Sequence, residues 1–186
     1  MTTLKLNLTA RFLILTVLFF SSSIAAKAQG PSIRLSVGAG IGYAPIVTLG
    51  QSDYSGVITS INGDLEYGKL MGRLQYSKPI IGTFDSNSLK DGNAYHGSLG
   101  YKLELKDNFF MGLLLSGGAT AITYSNGFDE FTNVSPQAGV QVIPVYHFSK
   151  HFSVQASVRY YKGFEAGDRG RASDLFDLGI GVRVSL

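Results

Sequence analysis

The chain has 186 residues, enough for one domain once an export signal is removed, and carries sixteen Lys and Arg against thirteen Asp and Glu. It has no cysteine, which excludes disulfide staples, thiolate metal sites and a nucleophilic thiol. Lys5, Arg11 and Lys27 all fall in the first 28 residues, leaving thirteen basic and thirteen acidic residues beyond them; a formally neutral domain carries no electrostatic footprint for nucleic acid.

Residues 1–28 read as a cleaved signal peptide. Lys5 and Arg11 give a positive start, Phe12 to Phe20 a short apolar run, and Ala26-Lys27-Ala28 a small-x-small cleavage site. The apolar run is short of the ~20 residues a spanning helix needs. No cysteine follows the cleavage site to carry a lipid anchor. The expected mature domain is 29–186.

From there the chain alternates. Ser32 to Tyr43 sets Ile33, Leu35, Val37, Ala39, Ile41 and Tyr43 on one face of an extended strand, and Arg34, Ser36, Gly38, Gly40 and Gly42 on the other. After a polar connection at 44–55, Gly56 to Tyr67 reads as a strand with Asp64 and Glu66 on its polar face, and Gly68-Lys69 has the favoured hairpin length. Leu70 to Ser77 returns with Arg73 on the polar face, followed by a long connection at 78–93. Ala94 to Leu105 carries Lys102 and Glu104; a short turn at 106–108 leads into Phe109 to about Thr123. A loop at 124–133 precedes Val134 to about Ile143, and the next turn falls near His147 to His151. Pro144 is a misfit read as a bulge or the start of that turn, because proline cannot donate to a ladder. Phe152 to Tyr161 holds Arg159, 162–173 is long and polar, and Asp174 to Leu186 closes the chain with unbroken alternation, Asp177 and Arg183 on its polar side.

Eight two-faced strands with long and unbroken alternation at both ends predict a sheet whose edges meet, since closure removes unpaired edges. The connections alternate long and short, the pattern of a bacterial outer-membrane barrel with tight periplasmic turns and four long outer loops. The fold expected is therefore all-β: an eight-stranded antiparallel up-and-down transmembrane β-barrel.

Alternation alone does not say which face is inside, and a soluble lipocalin-like barrel would turn its apolar face inward. Three features favour lipid outside. The polar face is rich in glycine, which serves a narrow lumen better than a water-facing surface. Arg34, Asp64, Glu66, Arg73, Lys102, Glu104, Arg159, Asp177 and Arg183 all lie on it, near the charge balance a desolvated lumen requires. Strand direction puts Arg34, Glu66, Arg73, Lys102, Glu104 and Arg183 toward the periplasmic end, where a salt-bridged plug is expected. Finally, Tyr43, Tyr67, Tyr76, Tyr95, Phe109, Tyr146, Phe152, Tyr160 and Phe176 lie near strand ends on the apolar face, where membrane barrels carry aromatic girdles. Tyr101 reads as mid-strand and outside that pattern.

The eight-strand layout, the first strand S-V-G-A-G-I-G-Y and the closing G-I-G-V-R-V-S-L resemble the small outer-membrane barrels typified by OmpA and OmpX. The resemblance implies an integral outer-membrane location, lipid and lipopolysaccharide around the barrel, and insertion by the barrel assembly machinery. It departs at the C-terminus, where Leu186 stands in place of the aromatic residue usual in that family.

Chemistry-bearing patterns are few. His147-Phe148-Ser149 resembles the His-x-Ser of outer-membrane lipid A deacylases, but falls in an expected periplasmic turn, away from an outer-leaflet substrate. His96 has no second histidine at ligand spacing and reads as a satisfied interior residue. Asp129, Glu130, Glu165, Asp168, Arg169, Arg171 and Asp174 read as loop charge, with contact to lipopolysaccharide-bridging cations or a surface partner as the alternative. No cofactor, metal or nucleotide site is expected. The function expected is a structural or surface-interaction role through the outer loops, without enzymatic activity. A narrow-pore, porin-like channel is the first alternative, a lipid A-modifying hydrolase the second and a soluble ligand-binding barrel the last.

Overall fold

The computed structural model describes residues 33–49, 52–82, 88–125, 128–165 and 172–186; the expected signal peptide lies outside them. Eight strands follow one another: β1 Ile33–Leu49, β2 Ser52–Tyr67, β3 Leu70–Gly82, β4 Ser88–Lys106, β5 Phe109–Ser125, β6 Glu130–His147, β7 Phe152–Gly163 and β8 Ser173–Ser185. Each pairs antiparallel with the next, and β8 pairs back onto β1 to close the barrel.

Alternation accounts for the facing. Leu99, Leu115 and Ile180 are each about 70 % exposed on the outside, where Val182, Leu113 and Val158 also lie. Arg73, Asp64 and Arg183 are buried within. A soluble barrel would lose free energy on both counts, because large apolar side chains would meet water and ionised ones would leave it. In hydrocarbon the outer face is satisfied, and a closed ladder leaves no unpaired edge.

The closing seam shows why the first and last strands are rich in glycine. Gly40 is opposite Gly181 and Gly42 opposite Gly179. A Cβ at Gly40 would stand 2.7 Å from the Ile180 carbonyl oxygen, and one at Gly181 2.5 Å from that of Ala39. At the other end of β2, Gly68 has φ of 57°; with Lys69 it makes a two-residue turn with glycine at its first central position.

Most strands run further than alternation indicated. The expected connections at 44–55 and 78–93 are largely strand, since β1 reaches Leu49, β2 starts at Ser52, β3 reaches Gly82 and β4 starts at Ser88. Backbone pairing continues there without a regular alternation of apolar and polar side chains, so the sequence carries no period-two signal of it. Prolines mark the irregularities. Register shifts enclose Pro45 in β1 and lie next to Pro79 in β3, as expected for bulges that absorb a missing N–H. Pro144 is neither a bulge nor a turn start. It sits inside β6, opposite Met111, while pairing to β7 lapses between Val142 and Val145 with register unchanged. The ladder tolerates proline there because the missing donor is taken from one neighbour only.

Candidate functional site: the lumen and its charge network

At the tight-turn end, the inward positions of β2, β3, β4 and β8 bring together Asp64, Glu66, Arg73, Lys102 and Arg183. Arg73 donates to Asp64 from Nε at 2.6 Å and from Nη2 at 2.9 Å, a bidentate pair, and its Nη2 also reaches Gln155 Oε1 at 2.7 Å. Asn62 donates to Asp64 Oδ2 at 3.0 Å and accepts from Gln155 at 3.0 Å. Arg183 Nε lies 3.3 Å from Asp64 Oδ2, while its Nη2 pairs with Glu66 and donates to Ser36 Oγ at 2.9 Å. Lys102 bridges Glu66 at 3.2 Å and Glu104 at 3.1 Å. Three cations thus meet three carboxylates, the shared arrangement that buried charge requires.

The remaining expected network members stand apart. Arg159 and Asp177 form a separate buried pair, with Nε and Nη2 both 2.6 Å from Oδ1. Arg34 sits at the rim and turns to His147 Nε2 at 3.4 Å and the Lys150 carbonyl at 3.3 Å, not to a carboxylate. Glu104 is mostly exposed and reaches the network only through Lys102.

Sequence reasoning missed an apolar cluster set beside the charges. Met71, Phe110, Leu114, Ile143 and Val145 form a buried apolar cluster inside the barrel. Phe110 stands between two cations, with Lys102 Nζ 5.3 Å and the Arg183 guanidinium 5.6 Å from its centroid, in range for cation–π attraction. The segments carrying Phe110, Leu114, Ile143 and Val145 are apolar on both faces, so alternation loses contrast there; only register with Lys102 and Arg183 could have marked them as interior.

Farther from the tight turns the lumen turns neutral. Gln141 donates to Ser98 and Ser116 at 2.7 and 2.9 Å. Gln137 accepts from Thr120 at 2.6 Å, lies 2.8 Å from His96 Nε2 and donates to the Ser173 carbonyl at 2.6 Å. His96 stacks on Tyr161 with centroids 3.9 Å apart. A second apolar cluster of Ala44, Ile58, Tyr161 and Leu175 lies near the far end.

His147 and Ser149 do not meet as a nucleophilic pair. His147 Nδ1 lies 2.7 Å from Ser153 Oγ, and Ser149 Oγ accepts from the backbone N–H groups of His151 and Phe152 at 3.3 and 3.1 Å, bracing the turn. Among the described residues no carboxylate hydrogen-bonds the imidazole, which instead faces Arg34; a histidine serving as general base wants the opposite neighbour. Among the described residues no group of three His, Asp or Glu is placed to hold a metal. Asp174 pairs with Lys162 at 2.7 Å and caps the Gly163 N–H at 2.9 Å; Asp168, Arg169 and Arg171 lie outside the described residues.

Outside, Tyr43, Tyr95 and Tyr160 are exposed toward one end of the apolar band, and Tyr67, Tyr146 and Phe152 toward the other. Tyr76, Phe109 and Phe176 are half-buried. Tyr101 belongs to the lower group: strand stagger sets it opposite Leu70, the first residue of β3, at the level of the turn.

No family model and no curated protein matches the sequence. Solved structures do. Neisserial surface protein A is similar at a TM-score of 0.65 with 15% identity, over 84% of this chain and 99% of that one. The attachment invasion locus protein Ail of Yersinia pestis is similar at 0.58 with 12% identity, over 86% and 100%; its structure in complex with the heparin analogue sucrose octasulfate is similar at 0.56 with 11% identity, over 83% and 99%. The chain has the fold of a small outer-membrane β-barrel. The chain keeps that plan at an identity where few side chains are shared, because strand number, closure and inverted facing need only a pattern.

Proposed function

We propose that the protein is a non-enzymatic integral outer-membrane barrel whose lumen is shut by its charge network and whose role is structural or one of surface contact through the connections at the far end. One observation carries the closed lumen. At the level of the network the inward residues Ser36, Asp64, Arg73, Phe110, Val145, Ser153 and Arg183, from seven of the eight strands, are all within 3% of complete burial. The eighth strand contributes Lys102, whose side chain is 14% exposed. An eight-stranded bore is just filled by such side chains.

In this reading, the connections between β1 and β2, β3 and β4, β5 and β6, and β7 and β8 are what the barrel presents outward. The structure of Ail with a heparin analogue supports surface contact as a role for a barrel of this plan; at 11% identity the role is extended and the ligand is not. In this reading residues 1–28 are the export signal, the barrel assembly machinery inserts the chain, and lipid and lipopolysaccharide surround it.

Planar-bilayer recording tests closure. The purified barrel is expected to give no steady conductance, and reproducible solute-dependent channels would overturn the plug. Cells carrying the protein with the strand extensions and connections at the far end trimmed should lose surface attachment and keep heat-modifiable gel migration; unchanged attachment would remove the surface role.

A further inference from the structure

At the tight-turn rim, on the outside of the barrel, the pairing of β4 with β5 slips by one residue between Glu104 and Lys106. The slip is a bulge, which re-aims side chains. Leu105 is exposed, and an open groove of about 580 Å³ lies beside it, lined by Leu105, Lys106, Asn108, Phe109 and Tyr146. Phe109 and Tyr146 are direct cross-strand partners. The groove therefore has an apolar and aromatic floor on the lipid side and a cation with an amide at its turn side. No carboxylate lines it: Glu104 is turned to Lys102, and Asp107 of the same turn is not among the lining residues. The aromatic surface continues past the groove, with Phe148 edge-on to Tyr146 at 5.0 Å and exposed although it stands in a turn.

We propose that this groove is a binding site for one anionic glycerophospholipid of the periplasm-facing leaflet. Lys106 and Asn108 take the phosphate; Leu105, Phe109 and Tyr146 take the first part of an acyl chain. The occupant follows from charge and position: a cation in the lining beside an aromatic wall at the height of the headgroups complements a phosphate on a hydrocarbon stem. The proposal rests on the outer-membrane reading, which sets the tight turns at that leaflet.

Native mass spectrometry of the barrel released from micelles doped with phosphatidylglycerol tests it. The wild-type protein should retain one such lipid, and more of it than of phosphatidylcholine. The double variant Lys106→Ala/Asn108→Ala should lose retention about tenfold, the loss of one charge-assisted contact. Lys106→Arg should keep it, as should Lys150→Ala in the turn after β6. Equal retention by the wild type and the double variant, or by the two lipids, would overturn the site. Heat-modifiable migration reports folding in every variant. Absence of the wild-type protein from the outer-membrane fraction would instead overturn the reading on which the site rests.

Discussion

The two halves of the lumen are built from the same alternating strands and solve the same problem differently. Near the tight turns, ionised groups share partners: Asp64 serves Arg73 and Arg183, and Glu66 serves Arg183 and Lys102. Farther out, neutral amides and hydroxyls hand single hydrogen bonds along, from Thr120 through Gln137 to Ser173, with the isolated Arg159–Asp177 pair between. The difference teaches where the barrel commits its specificity. A shared ionic layer fixes several strands at once, and removing one member strands the others; a neutral chain yields one link at a time.

The largest test of that contrast is Asp64→Ala, which leaves two buried guanidinium groups short of a carboxylate. It should cost about 3–5 kcal/mol, read as a lowered midpoint when the folded fraction in lipid vesicles is followed over urea by gel migration. Val182→Arg probes the other side of the same strand segment as Arg183. If the outer face meets hydrocarbon near its midplane, the change should cost ~2–4 kcal/mol in the same titration, and it should cost nothing if that face is wet.

The seam offers a contrast without charge. Gly181→Ala drives a Cβ to 2.5 Å from the Ala39 carbonyl oxygen and should cost roughly 1–3 kcal/mol through overpacking. The neutral half is expected to be more forgiving. His96→Phe keeps a ring against Tyr161 and leaves Gln137 its bond from Thr120, so the loss should be about 1 kcal/mol in the urea midpoint. The smallest effect belongs to Gly117→Ala, since a Cβ there meets nothing within 4 Å; a change above about 0.5 kcal/mol would mean that this outward glycine packs against something other than lipid.

Glycine also shows how far sequence reading reaches. The inward glycines of the first and last strands were legible as lumen and seam residues, because the opposite face was apolar without a break. Gly63, Gly97 and Gly117 face outward instead, and a residue without a side chain leaves no mark of its facing. The charge network divides in the same way. That nine charged residues share one face is a matter of period two. That Asp64 sits between Arg73 and Arg183 while Arg34 turns to His147 depends on the stagger of strands distant in sequence.

By itself the sequence determined strand number, closure and inverted facing, because each is written in local alternation. Only the tertiary structure decided how far the strands run, which apolar residues line the lumen and which ions pair. Those depend on interstrand register, which is fixed by the closing of β8 on β1 and by bulges at Pro45, Pro79 and Leu105. A single strand holds no record of its neighbour's shift.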